Sequence, residues 1–242
     1  MSSVQVVAFC GKARAGKDTA AILMRDWLQK RNDLVPHEES YVIGIESFAA
    51  PLKTMVAVLL DYFGMGSIMD TSTLQPFVEG DRREEVIEGI GMSSRQLLQT
   101  LGTEWGRNTV NQDLWLNCMA KRIAGYELAK DHGYKGAIVF ITDMRFDNEA
   151  QLIRSLGGRN IKIVRDDLPE VAPHVSEAGI AFNLIDEVVS NNSSFEDLAI
   201  ALALGSLADI IPPIPTEDQA ALMFPDAEIE TFEDGSIPES NL

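Results

Sequence analysis

Cysteine and long apolar runs are both scarce in this chain of 242 residues. Its two cysteines, Cys10 and Cys118, provide neither a disulfide framework nor a zinc-binding spacing, which favours a reduced compartment. No apolar stretch approaches the roughly 20 residues that a membrane helix needs. The chain also lacks an N-terminal basic segment followed by an apolar run. We therefore expect no membrane partner, no signal peptide and a cytoplasmic location.

Positive charge is scarce as well, with 20 Lys and Arg against 37 Asp and Glu and a formal net charge of −17. An acidic body disfavours a nucleic-acid partner, because the phosphate backbone needs a basic surface. A single nucleotide stays compatible, since it needs only a local positive site. Residues 206–242 are acidic and rich in proline, which predicts a disordered tail. The alternative for this segment is an arm that binds a partner or a second copy in a homodimer.

Apolar strands and amphipathic helices alternate along residues 1–205, which we interpret as one domain. Strands are predicted at 4–9, 41–45, 137–142, 161–164 and 187–190. Helices are predicted at 17–30, 50–63, 93–107, 113–131, 147–156 and 195–204. This alternation is typical of the α/β class, in which helices cover both faces of a mostly parallel sheet in three layers. Residues 64–131 are interpreted as a helical insertion that binds an acceptor or acts as a lid, with a mobile excursion at 64–92.

The most specific motif is Gly-Lys-Ala-Arg-Ala-Gly-Lys-Asp-Thr at 11–19, between the first predicted strand and the first helix. It fits the pattern G-x-x-x-x-G-K, in which glycines let backbone N–H groups converge on phosphate oxygens and the lysine adds a mobile positive charge. The positive end of the next helix dipole strengthens such a site. The residues expected to contact the phosphates of ATP are Gly11, Ala13, Arg14, Ala15, Gly16, Lys17, Asp18 and Thr19.

Asp18 stands where this pattern usually has Ser or Thr, whose hydroxyl binds Mg²⁺. Either Asp18 or Thr19 is expected to take over that role, directly or through water. A further metal candidate is Asp143, at the carboxyl end of the strand 137–142, where ligands of α/β sheets bind. Arg145 follows two residues later and would neutralise charge on the transferred group. The alternative is that Asp143 and Arg145 cap and pair with neighbouring groups.

Candidate residues for binding the molecule that accepts a phosphoryl group lie on the predicted helix 93–107. With α-helical spacing, Arg95, Gln99, Gly102 and Thr103 share a polar face. The arginine would bind a phosphate there and the glycine would leave room for a nucleotide, although a face that simply contacts water has the same pattern. The remaining candidates are Phe48, Lys53, Arg107 and Trp115. That tryptophan would either stack on a base or anchor the core.

Five segments, taken together, resemble the bacteriophage deoxynucleoside monophosphate kinases. They are the motif at 11–19, Ser-Phe-Ala-Ala-Pro-Leu-Lys at 47–53, Arg-Gln-Leu-Leu-Gln-Thr-Leu-Gly-Thr-Glu at 95–104, Ile-Thr-Asp-Met-Arg-Phe-Asp-Asn-Glu-Ala at 141–150 and His-Val-Ser-Glu at 174–177. The resemblance extends over residues 4–204. Gly-Lys-Asp-Thr is usual in that family, so Asp18 fits it.

The resemblance implies a P-loop kinase fold, ATP with Mg²⁺ as the donor, and deoxynucleoside monophosphates as acceptors, in the host cytoplasm if the gene belongs to a phage. The acceptor-site residues that it implies are Arg95, Gln96, Gln99, Gly102, Thr103 and Trp115. The expected catalytic residues are Lys17, Arg95, Asp143 and Arg145. The alternatives are a P-loop kinase of another small acceptor, such as dephospho-coenzyme A, and a non-catalytic ATP-binding switch. A GTPase is disfavoured, because the sequence contains no Asn-Lys-x-Asp motif.

Overall fold

The computed structural model describes residues 3–166 and 179–213 and contains a five-stranded parallel sheet. The strands are β1 (Val4–Cys10), β2 (Tyr41–Glu46), β3 (Gly136–Ile141), β4 (Arg159–Val164) and β5 (Glu187–Ser190). Their order across the sheet is β2-β3-β1-β4-β5. Each of the five predicted strands is confirmed to within two residues at either end.

β1 lies at the centre of the sheet. It pairs with β3 through Val4 opposite Ala137 and with β4 through Val7 opposite Arg159. β1 and β3 are apolar and buried over almost their whole length, as expected for strands covered on both faces. Because all the strands run parallel, their carboxyl ends lie at one edge of the sheet, and the segments that follow β1, β2 and β3 meet there.

Helices cover both faces of this sheet, which confirms the predicted α/β class with three layers. The helices are α1 (Lys17–Asn32), α2 (Ala50–Tyr62), α3 (Gln75–Val78), α4 (Ser94–Gln99), α5 (Leu114–Gly125), α6 (Asp147–Ser155) and α7 (Phe195–Ile200). Short 3₁₀ turns lie at His37–Glu39, Thr71–Thr73, Asp81–Glu84, Tyr126–His132 and Phe182–Leu184. Met24 of α1 and Leu198 of α7 are buried on one face. Met119 of α5 and Ile153 of α6 are buried on the other.

Residues 64–92, predicted as a polar excursion, contain a small apolar cluster. Leu74, Phe77 and Ile87 are buried there against Leu60 of α2. These apolar residues follow neither a helical nor a strand period, which is why the sequence pattern did not indicate them. The segment 64–92 is therefore packed against α2 and α4, beside the carboxyl edge of the sheet.

The helix that begins at Ser94 changes its winding after Gln99. It continues without a break as a π-helix over Thr100–Val110. A π-helix bonds each residue to the one five positions along, so α-helical spacing no longer predicts which side chains share a face. The predicted polar face assumed α-helical winding throughout, so beyond Gln99 the place of Gly102 and Thr103 on it stays a prediction.

The chain stays packed on the body beyond α7. It continues as a π-helix over Ala201–Ser206, and Leu207 and Ile211 are buried in the core beside α1. The His-Val-Ser-Glu segment at 174–177 and the rest of the predicted tail, 214–242, lie outside the described residues. Within the part that the structure describes, no helix is both long and apolar enough to cross a membrane.

Candidate functional site

The loop between β1 and α1, here named the phosphate loop for its predicted role, has an unusual backbone. Gly11 and Gly16 have φ angles of 142° and 98°, and Arg14 has a φ of 65°, so three positions lie in the left-handed region. A Cβ on Gly11 would lie 2.3 Å from the carbonyl oxygen of Ile163, and one on Gly16 would lie 2.2 Å from Nδ2 of Asn191. Glycine is therefore required at both ends of the loop, for conformation and for space.

Lys17 begins α1 and folds back over this loop. Its Nζ donates to the carbonyl oxygens of Gly11, at 3.0 Å, and of Lys12, at 2.9 Å. The side chain is buried, and its positive charge lies above the loop together with the positive end of the α1 dipole. This set of donors suits the phosphates of a nucleotide. Asp18 is exposed and Thr19 is partly exposed beside it, so either side chain is open to a metal ion or its water.

Asn191, which the sequence did not single out, supports the loop from behind. It follows β5 and is buried, and its Nδ2 donates to the carbonyl oxygen of Ala15 at 2.9 Å. Its backbone N–H donates to Val164 at the end of β4. An asparagine in a polar turn belongs to no recognisable sequence motif. Only its contact with the loop therefore identifies Asn191 as a functional residue.

Asp143 fastens the start of α2 to the end of β3. Its Oδ1 accepts from the backbone N–H of Phe48 at 2.7 Å, and its Oδ2 accepts from that of Ala49 at 3.0 Å. Burial raises the pKa of Asp143. The hydrogen bonds from the N–H groups of Ala49 and Phe48, and then the positive charges of Lys53 and Arg145, oppose this rise only in part. Of the two alternatives from the sequence, these contacts match the one in which Asp143 pairs with neighbouring groups.

A metal role for Asp143 stays a prediction. Across residues 3–166 and 179–213, no three His, Cys, Asp or Glu side chains are grouped as a metal site. Mg²⁺ bound to nucleotide phosphates needs only one or two protein oxygens, so this finding leaves Asp18, Thr19 and Asp143 as its candidates.

Glu149, three residues into α6, joins the turn after β3 to the π-helix. Its Oε1 accepts from Nη2 of Arg107 at 2.8 Å. Its Oε2 accepts from the backbone N–H groups of Arg145, at 2.8 Å, and Phe146, at 3.1 Å. Burial raises the pKa of Glu149, and the negative charge of Asp143 adds to the rise. Two predicted residues, Arg107 and Arg145, are thus brought to the same turn by a residue that was not predicted.

Two predicted acceptor-binding cations are paired with carboxylates of the segment 64–92. Nζ of Lys53 lies 2.7 Å from Oε1 of Glu79, and Nη1 of Arg95 lies 2.8 Å from Oε1 of Glu84. Both pairs are partly exposed, so each is weak. An anionic acceptor would have to compete with these carboxylates.

Trp115 packs against the π-helix. It is buried, its Nε1 donates to the carbonyl oxygen of Gly102 at 2.8 Å, and a Cβ on Gly106 would lie 2.5 Å from its Cζ2. These contacts match the core anchor among the two alternatives. Trp115 also borders a cleft of about 260 Å³ between the starts of α2 and α5, which is lined by Phe48 and Arg122 as well.

The helix residues implied by the resemblance have several roles. The Oε1 of Gln96 accepts from the backbone N–H of Ser93 at 2.8 Å, so this side chain caps α4. A Cβ on Gly102 would lie 3.2 Å from Cδ1 of Leu52, so α2 fills the gap that was predicted to hold a nucleotide. Gln99 and Thr103 are exposed, and their contact with an acceptor stays a prediction.

The family model of the deoxynucleotide monophosphate kinases matches residues 66–201. The chain belongs to this family. The match confirms the resemblance in the sequence and identifies a phosphotransferase. It covers the insertion, the π-helix, β3 and α6, whereas the phosphate loop lies before it, so the interpretation of the loop rests on its geometry.

Individual members of the family agree with this match. The deoxynucleoside-5'-monophosphate kinase of Escherichia phage T5 is 25% identical over 236 residues, covering 77% of this chain and 89% of that relative. The deoxynucleotide monophosphate kinase of Escherichia phage RB69 is 30% identical over 106 residues, covering 44% and 41%. That of Enterobacteria phage T4 is 32% identical over 124 residues, covering 50% and 49%.

Proposed function

We propose that this kinase transfers the γ-phosphoryl group of ATP to the 5'-phosphate of a deoxynucleoside monophosphate, giving ADP and the diphosphate. The observation that carries the proposal is the loop at 11–19, with Lys17 folded over it, in a chain of this family. Small nucleotides are then the partners, and both substrates bind along the carboxyl edge of the sheet.

The donor would bind in the loop, where backbone N–H groups and Lys17 face the phosphates. Gly11 and Gly16 give the loop its shape, and Ala13, Arg14 and Ala15 lie between them. Asp18 or Thr19, with Asp143, would hold Mg²⁺, which when bound neutralises charge between the β- and γ-phosphates. Lys17 adds a second positive charge at that position.

The acceptor would bind between α2 and the helix that begins at Ser94. Lys53 and Arg95 would exchange their carboxylate partners for its phosphate, since a dianionic phosphate attracts a cation more strongly than one carboxylate does. Gln99, Thr103, Phe48 and Trp115 are the candidates for the sugar and the base.

The transfer needs no strong general base. The attacking oxygen of the acceptor phosphate is already anionic at neutral pH, so the protein has to position two anions and neutralise their charge. Arg145 and Arg107 are held at the turn after β3 and would lie beside the transferred group. Exclusion of water from the space around the transferred phosphoryl group would limit hydrolysis of ATP.

The test is an ADP-coupled assay of the purified full-length chain with Mg·ATP and each deoxynucleoside and ribonucleoside monophosphate in turn. We expect ADP release that depends on at least one deoxynucleoside monophosphate. Release only with dephospho-coenzyme A or another metabolite would assign a different acceptor. Binding of Mg·ATP without turnover on any acceptor would make the chain a binding protein and overturn the proposal.

A further inference from the structure

Glu149 is a buried carboxylate with more contacts than a helix cap requires. Its side chain is 3% exposed. One oxygen, Oε2, accepts both N–H groups at the start of α6, from Arg145 and Phe146. A neutral glutamine would serve as that cap equally well. The second oxygen accepts from Arg107, which lies 42 residues earlier in the chain.

The negative charge of Glu149 is costly where it lies. A buried carboxylate destabilises a fold unless it is paired and hydrogen-bonded, and here a second carboxylate, Asp143, is near enough to raise its pKa. The cation that compensates is Arg107, whose Cζ also lies 4.5 Å from the ring centroid of Phe146. The guanidinium is thus held on one side by Glu149 of α6 and on the other by Phe146 of the turn after β3.

The same turn is fastened at its other end to α2. Asp143 accepts the N–H groups of Phe48 and Ala49 there, so residues 143–146 connect the start of α2 with the π-helix. Both of these elements carry predicted acceptor residues. A shift of the turn would therefore move the two walls of the acceptor site relative to the phosphate loop.

We propose that Glu149 is a positioning residue, which locks the π-helix to the turn after β3 through Arg107 and thereby holds Arg107 and Arg145 in place for phosphoryl transfer. The expected effect of Glu149 on the kinetics rests on the proposed function. The structural part, that Glu149 connects the π-helix to this turn, rests on its contacts alone. Glu149 itself does not touch the substrates in this assignment.

The informative variant is Glu149→Gln. Its carbonyl oxygen still accepts the N–H groups of Arg145 and Phe146, whereas its amide N–H₂ would face the donors of Arg107 and break the lock. We expect kcat to fall by about 10- to 100-fold and the acceptor KM to rise, as for a misplacement of about 1 Å, with the KM for ATP unchanged. Wild-type kcat and acceptor KM in this variant would overturn the proposal.

A matched control lies on the same helix. Arg154 of α6 pairs with Asp186 and donates to the carbonyl oxygen of Asn183, away from the turn. Arg154→Met removes from α6 an ion pair that is more exposed than the pair of Glu149 with Arg107, and we expect wild-type kinetics. Equal kinetic losses in Arg154→Met and Glu149→Gln would reduce the role of Glu149 to general support of α6.

A double variant tests the route through Arg107. In an Arg107→Met background the lock is already broken, so Glu149→Gln should cause no further loss in kcat. Losses that multiply would show that the two side chains act independently, which overturns the coupling. Any contact between Arg107 and the acceptor is missing from both Arg107→Met and the double variant. The comparison of these two variants therefore does not depend on such a contact.

A measurement without substrates separates this proposal from the proposed function. Glu149→Gln should accelerate amide hydrogen exchange over Thr100–Val110 while the amides of Arg145 and Phe146 stay protected. Unchanged exchange in that helix would overturn the lock even in an active kinase. Accelerated exchange in a chain that phosphorylates no deoxynucleoside monophosphate would sustain the lock and reject only the proposed function.

Discussion

The phosphate loop and the acceptor side of this kinase are built in opposite ways. In the loop, Lys17 bonds to carbonyl groups six and five residues before it. On the acceptor side, Asp143 bonds to an amide 95 residues away, and Arg107 pairs with Glu149 at a separation of 42. The contacts of Lys17 thus lie within one short segment, to which Asn191 adds a distant support. The acceptor side exists only after distant elements have packed.

This difference predicts which changes affect function and which affect stability. A substitution of Lys17 should remove transfer and leave the body folded, since its hydrogen bonds to Gly11 and Lys12 join residues of one short segment. A substitution in the network around Asp143 should lower stability and transfer together, because the same contacts support both. The following variants test this contrast.

Lys17→Met should have the largest effect. The apolar stem is kept while the charge above the loop is lost, so we expect kcat/KM to fall at least about 10³-fold with little change in the unfolding midpoint. The measurements are the ADP-coupled assay and thermal unfolding. Lys30→Met, an exposed lysine in the last turn of α1, is the control and should retain activity. Substantial turnover in Lys17→Met would remove this lysine from the mechanism.

Asp143→Asn should cost both stability and activity. The two oxygens of Asp143 accept from two backbone N–H groups, whereas asparagine has only one oxygen to accept with. We therefore expect the free energy of unfolding to fall by about 1–3 kcal/mol. Asp33→Asn, at an exposed position in a weak surface contact, is the control and should change stability by less than about 0.5 kcal/mol.

The pH dependence of that stability difference has a definite sign. Burial raises the pKa of Asp143 in the folded state above its ordinary value of 3.8, so the folded chain binds this proton more tightly than the unfolded chain. The stability of the wild type relative to Asp143→Asn should therefore fall as pH rises above about 4, and it should level off above the folded-state pKa. The opposite slope would mean that the neighbouring cations lower the pKa of this carboxyl.

Asn191→Ala should have a moderate effect, because it removes one distant support from a local site. The lost hydrogen bond to Ala15 is worth about 1 kcal/mol, which corresponds to an increase of about 5-fold in the KM for ATP. Asn192→Ala is the neighbouring control, since that side chain bonds to Asp166 instead of the loop. If only Asn192→Ala raised this KM, the loop would not depend on Asn191.

Removal of the competing carboxylates should have the smallest effect. Glu79→Gln and Glu84→Gln release Lys53 and Arg95 from weak surface pairs, so we expect the acceptor KM to fall about 2- to 5-fold in the double variant. Glu85→Gln is the control, because Glu85 pairs with Arg82 within the insertion. A higher acceptor KM would mean that these glutamates position the two cations rather than compete for them.

Much of the fold followed from residue pattern. The strands were predicted closely because each is a short apolar run, and the loop was predicted because its motif is contiguous. The winding of the helix at 93–107 was not predicted, because the chain changes to a π-helix at Thr100, which α-helical spacing does not reveal. Glu149 and Asn191 were missed, since their roles come from contacts with distant segments.

The sequence by itself determined the α/β layering and the glycine positions of the loop at 11–16, since apolar periodicity and glycine placement are properties of neighbouring residues. Only the tertiary structure decided that Asp143 bonds to the start of α2 and that Glu149 bonds to Arg107. Their contacts cross long stretches of chain, and pairing between distant residues depends on strand order and helix winding, which no local pattern contains. It also decided that Gly102 lies against Leu52, because close packing of two helices fills any gap that one helix leaves.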